Sequence, residues 1–229
     1  MNHFFQIQKE QAPMLTLFWH VSLLAVMLIL IVFSYKYYSN QRFVRFFQFL
    51  QILQLISLYS WYSWGHFPLG ESLPLYHCRI CMFAMLLLPT GKIKQYLALL
   101  GIGGVTMALI YPVMDAYQFP HLTIFSYVIG HYALLVNCLV YLLKHYDSSA
   151  LTLRQIAGWT FGLNLFLIFA NVLTKGNYGM LMDPPLISGH LLWLNYLVIS
   201  LVLVTVICLL NGLFGQLFER TRENITVEK

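Results

Sequence analysis

The chain has 229 residues, 59% of them hydrophobic and only 9% charged. Soluble domains carry about 25% charged residues, so this composition excludes a soluble domain of any size and predicts an integral membrane protein. The net charge of +5 resides in short Lys/Arg flanks beside apolar runs. That is the pattern of topology determinants and lipid-headgroup contacts rather than of a nucleic-acid groove.

The apolar runs are continuous and long, whereas membrane barrels alternate in segments of about 10 residues. The fold class expected is therefore an all-α polytopic bundle, a single transmembrane domain over residues 1–229. In chain order, seven spans are predicted at about 14–37, 42–64, 72–89, 95–114, 121–145, 152–174 and 189–217. Met1 to Pro13 is polar and the first apolar run is too long for a signal h-region, so no cleavable leader is expected. Breaks are supplied by Ser39-Asn40-Gln41, Gly65 to Gly70, Pro89-Thr90-Gly91, Pro112 and Pro120, Asp147-Ser148-Ser149 and Asp183-Pro184-Pro185. Pro74 is placed in the first turn of the short third helix, where a missing N–H costs nothing.

Ten basic residues (Lys36, Arg42, Arg45, Lys92, Lys94, Lys144, Arg154, Arg220, Arg222, Lys229) fall on one side of these spans, and Lys9 and Lys175 on the other. This bias gives an outside N-terminus and a cytoplasmic C-terminus. The stretch Glu71 to Cys81, ESLPLYHCRIC, then sits at the extracytoplasmic end of helix three.

Ionisable groups at membrane depth cost roughly 2.5–3.5 kcal/mol on insertion scales, so His77, Cys78 and Arg79 need partners or a task. A thiolate nucleophile is favoured by positive charge, which Arg79 and the helix N-terminus would give Cys78. Neighbouring helical residues point about 100° apart, so the base for Cys78 is as readily His131 or His20 from another helix as His77. All four cysteines lie in apolar segments, so no disulfide framework is expected, and Cys81, Cys138 and Cys208 read as small hydrophobes. His77 and Cys81 stand one turn apart, but no further ligands cluster with them; no metal and no cofactor is expected. Glu71 is either a general base or the acid favoured at a helix start. Asn164 and Asn171 share one face of helix six, and either bond between helices or line a polar cavity.

Beyond this local chemistry, Leu73 to Cys78, LPLYHC, resembles the bacterial YwaF-type integral membrane proteins, relatives of a human multi-pass acyltransferase of ether phospholipids. The likeness runs through Phe18-Trp19-His20, through Phe119-Pro120-His121 leading to Gly130-His131, and through Gly176-Asn177-Tyr178 ending in Asp183-Pro184-Pro185. The family pattern carries its histidine one position earlier, where this chain has Tyr76. The resemblance implies acyl transfer through a cysteine thioester, with Cys78 as the corresponding cysteine.

Together these readings predict a membrane-embedded lipid acyltransferase or lipid-ester hydrolase acting at the extracytoplasmic side. Cys78 is the expected nucleophile, His131 or His20 the base, and Arg79 or the backbone N–H groups of helix three the stabiliser of an oxyanion or lipid phosphate. His77, Glu71, Asn164, Asn171 and Tyr178 are expected around the substrate. Membrane lipids are the expected partners, nucleic acid is not, and the expected location is a bacterial plasma membrane. The alternative is a non-enzymatic transporter or lipid-binding accessory protein of the cell envelope.

Overall fold

The structure, a computed structural model, describes residues 3–65, 67–185 and 191–227. The described residues form seven α-helices: α1 (Leu17–Tyr37), α2 (Gln41–Trp64), α3 (His77–Leu87), α4 (Lys92–Ile110), α5 (Leu122–His145), α6 (Leu153–Thr174) and α7 (Leu192–Val227). A 3₁₀ turn at Tyr178–Met180 lies between α6 and α7, and no strand occurs among the described residues. The breaks act as caps. Asn40 accepts from the backbone N–H of Arg42 and Phe43 at the start of α2, and Thr152 and Gln155 form a capping box on α6.

Six helices are long and apolar enough to cross a membrane; α3, with 11 residues, is not. It covers about 16 Å of a hydrocarbon core about 30 Å thick. The predicted third span therefore begins as a helix only at His77, and Pro74 lies in the turn before it rather than in its first turn. Pro74 disfavours helical geometry at Leu73, and the Leu73 N–H is held by the Tyr178 hydroxyl at 3.1 Å. Ser72, fully buried, is folded back on the Pro68 carbonyl through both its N–H and its hydroxyl. Glu71 to Tyr76 thus enters the bundle as non-helical backbone, which a membrane tolerates only inside protein or beside a water-filled space. At the other end of the chain, α7 continues to Val227, past the predicted stop at 217. Residues 189 and 190 of that predicted span lie outside the described residues.

Helices α4 and α5 form the inner pair, with 61% and 67% of their apolar stretches buried, against 17% for the lipid-facing α1. Around α5 stand α1, α2, α3 and α4, while α7 joins α6 to α4. Trp19, Trp64 and Trp193 are all exposed, and all lie at the helix ends opposite the Lys/Arg flanks. Exposed tryptophans at helix ends fit an interfacial aromatic belt.

Candidate functional site

The first turn of α3 holds three consecutive functional side chains, and helical geometry sends them in three directions. The N-cap, Tyr76, offers no side-chain acceptor, and the backbone N–H groups of His77, Cys78 and Arg79 make no hydrogen bond. Each of the three residues keeps partial exposure although helices surround it.

Cys78 points to α4. A Cβ added to Gly104 would stand 3.0 Å from its Sγ, so the glycine leaves the notch that the thiol occupies. Two contacts fix the antiparallel register of α4 and α5. Gly101 packs on Cys138 and Leu134, and the Tyr127 hydroxyl donates to the Ala108 carbonyl at 2.6 Å. Gly104 lies between them, which puts Cys78 at the level of His131. The buried His131 places Nδ1 2.7 Å from the Tyr127 carbonyl. A carbonyl only accepts, so Nδ1 carries the proton and Nε2 is the free base. Among the described residues no hydrogen bond joins Cys78 to a histidine, and His131 bonds through Nδ1. His20, on α1, presents a buried Nε2 with no partner. It lies one turn from Leu23, whose carbonyl accepts from Tyr132 on α5 at 2.9 Å.

Arg79 points outward, toward α2. Its guanidinium donates to the Tyr62 hydroxyl at 2.8 Å and the Glu71 carbonyl at 2.6 Å, between the rings of Tyr62 and Tyr76 at 5.2 and 4.9 Å. The Glu71 carboxylate is not its partner, because Lys9 pairs with that group. Glu71 therefore sits in the outer loop network and faces neither Cys78 nor His131.

His77 points the other way, to α6 and α7. Its Nε2 lies 2.8 Å from Asn164 Oδ1, and Asn164 Nδ2 donates to the Ser200 hydroxyl at 2.9 Å. Gly179, with φ +69, covers the ring; a Cβ there would stand 2.8 Å from His77 Cε1. Asn171 belongs to the same wall but meets no other site side chain. It clasps the Tyr178 backbone, donating to its carbonyl at 2.9 Å and accepting its N–H at 2.7 Å. The Tyr178 hydroxyl donates to Leu69, tying the 3₁₀ turn to the segment that enters the bundle. The structure thus gathers His77, Asn164, Asn171 and Tyr178 on the α6–α7 side of α3, while Cys78 meets α4, Arg79 meets α2, and His131 bonds within α5.

Over both groups lies the N-terminal segment. Carbonyls of Phe5, Gln6 and Ile7 accept from Trp61, His121 and Tyr117 at 3.2, 2.9 and 3.2 Å. His121 is 1% exposed and stacks on Tyr117 at 4.1 Å. Burial holds its pKa below the usual histidine value and pushes the Tyr117 phenol up to about 12. Two cavities lie elsewhere, at the end of the bundle that carries the Lys/Arg flanks: about 200 Å³ beside Tyr146 and Phe218, and about 440 Å³ beside Pro89 and Trp159. Among the described residues no three His, Cys, Asp or Glu side chains converge as metal ligands.

Sequence reasoning missed Tyr62, Gly104, Tyr127, Gly179 and Ser200. Only the Gly103-Gly104 pair carried a signal, since adjacent glycines in an apolar helix mark close approach. The tyrosines gave none, because aromatic residues are common throughout the chain.

The family model described as TMEM164 family matches residues 4–214. No curated protein and no solved structure matches the chain.

Proposed function

The chain belongs to the TMEM164 family, and from that premise we propose that it is a lipid acyltransferase or lipid-ester hydrolase working through a Cys78 thioester. The observation that supports this reading is a set of three features of α3, α4 and α5. The Cys78 thiol sits in the Gly104 notch, His131 presents an unprotonated Nε2, and the N–H groups of the first turn of α3 have no acceptor. In the proposed reaction Sγ attacks the ester carbonyl carbon while its proton passes to His131 Nε2. The α3 N–H groups meet the tetrahedral oxyanion. Collapse breaks the ester C–O bond, and the departing alkoxide takes the proton back from His131. An acceptor hydroxyl, or water in the hydrolase case, then attacks the thioester with His131 as base and returns the thiol.

The likeness of LPLYHC to YwaF-type proteins supports a bacterial branch and a plasma-membrane location. The test is transfer of a fluorescent acyl chain from phospholipid to a lysolipid by purified protein. Wild type is expected to transfer, and Cys78→Ser to lose at least about a hundredfold. Equal transfer by the variant would sink the reading. A non-enzymatic lipid-binding role is favoured by one observation, that no histidine hydrogen-bonds Cys78. Thiol alkylation from outside intact cells separates the two: labelling confined to Cys78 supports the enzyme, and inertness of all four thiols supports the binder.

A further inference from the structure

We propose that Cys78 and Cys81 form an oxidation site, closing to a disulfide when a hydroperoxide oxidises Cys78. The disulfide rests on the thiol geometry of α3 and α4; its effect on acyl transfer rests on the thioester reading above.

The run Cys78-Arg79-Ile80-Cys81 places two free thiols three residues apart at the start of α3. Residues at that spacing share a helix face. Here the face is turned to α4: a Cβ on Gly104 would stand 3.0 Å from Cys78 Sγ, and one on Gly101 would stand 3.4 Å from Cys81 Cβ. Gly101 and Gly104 are one turn apart on α4, so the wall opposite each cysteine carries no side chain.

A disulfide needs Cβ atoms about 3.5–4.5 Å apart, whereas residues three apart in a helix hold them about 5–6 Å apart. A helix interior resists that difference, but this turn is free to tighten. The N–H groups of His77, Cys78 and Arg79 make no hydrogen bond, and Glu71 to Tyr76 before them is non-helical. Cys78 can therefore move toward Cys81 without breaking a bond at its own N–H. Cys138 is the rival partner, since its Sγ lies 2.7 Å from the same Gly101 position. Joining it would require movement between packed helices rather than within one turn.

Exposure sets the order of events. Cys78 is partly exposed, while Cys81 and Cys138 are 0% exposed. An oxidant meets Cys78 first, and a buried thiol acts only on what Cys78 becomes. Cys78 Sγ attacks the terminal hydroperoxide oxygen: an S–O bond forms, the O–O bond breaks, and the departing alkoxide takes the thiol proton as alcohol. Cys81 Sγ then attacks the sulfenic sulfur of Cys78. The S–O bond breaks, and hydroxide leaves with the Cys81 proton as water. The two thiols together lose two electrons, and one hydroperoxide is reduced. A dithiol reverses the linkage by exchange. Without a neighbouring thiol, a sulfenic acid goes on to irreversible sulfinic acid.

The test treats the detergent-purified full chain with a few equivalents of hydrogen peroxide, alkylates the remaining thiols and maps the peptides by mass. Wild type is expected to lose two hydrogens in a Cys78–Cys81 linkage that dithiothreitol reverses. In Cys81→Ala, Cys78 should reach sulfinic acid at least about tenfold faster, and Cys138→Ala should behave as wild type. Sulfinic acid forming on Cys78 at one rate in wild type and Cys81→Ala would overturn the site. So would a Cys81–Cys138 linkage, or four thiols left unchanged by the oxidant. The wild-type linkage is read without any variant, so poor folding of Cys81→Ala leaves the test decisive. Linkage in a protein that never forms a thioester would support the site and refute the acyl-transfer chemistry.

Discussion

The two sides of the α3 N-terminus are built from similar residue types and end in opposite states. On the α6–α7 side, His77, Asn164 and Ser200 form a closed chain of hydrogen bonds under the Gly179 backbone. On the α2–α5 side, among the described residues, Arg79 makes no ion pair and His131 bonds through Nδ1 to its own helix. Satisfied polar groups between membrane helices hold them in register; unsatisfied ones are costly to keep and mark where a substrate completes the structure. By this contrast the proposed mechanism gives His77, although next to Cys78 in sequence, a positioning role, and gives the role of base to His131, 53 positions from Cys78.

The comparison can be broken at several points. The largest effect is expected from Cys78→Ala, which should lower acyl transfer at least about a hundredfold while leaving the melting temperature nearly unchanged. On the closed side the loss should be in stability. Gly179→Ala puts a Cβ against the His77 ring and strains a left-handed residue, at about 2–3 kcal/mol, read as a lower Tm with parallel loss of all activities. Asn164→Ala should cost about 1–2 kcal/mol by orphaning His77 Nε2 and Ser200, measured by thermal unfolding in detergent.

The smallest effect concerns the outer cap. His121 is held neutral: Nδ1 accepts the Thr123 N–H, and burial lowers its pKa from the ordinary value. The unfolded chain therefore binds the extra proton first, and the cap loses stability as pH falls below about 6.5. Faster hydrogen exchange in residues 4–10 at about pH 5 than at about pH 7.5, abolished in His121→Gln, is the expected result.

Much of this architecture was legible in the sequence because it depends on local signals. Asn40 and Thr152 mark the helix starts they cap. The start of α3 was not legible. A proline in a first turn is normal, and only the bond of the Leu73 N–H to the Tyr178 hydroxyl, 105 residues away, shows that the chain there is held outside a helix. The partners of the first turn were hidden for the same reason. His77 and Asn164 are 87 residues apart, and Arg79 and Tyr62 are 17 apart on different helices. Helical geometry foretold that His77 and Cys78 would diverge, but not which helix each would meet.

The most direct test of the central claim is mass spectrometry of purified protein quenched during turnover with an acyl phospholipid and mapped by peptide. The account predicts a hydroxylamine-labile acyl adduct on the peptide containing Cys78, with Cys81, Cys138 and Cys208 unmodified. It also predicts that the adduct accumulates in His131→Ala, if at all, far more slowly than in wild type. An adduct on another residue, or transfer proceeding with no adduct on Cys78, would contradict it.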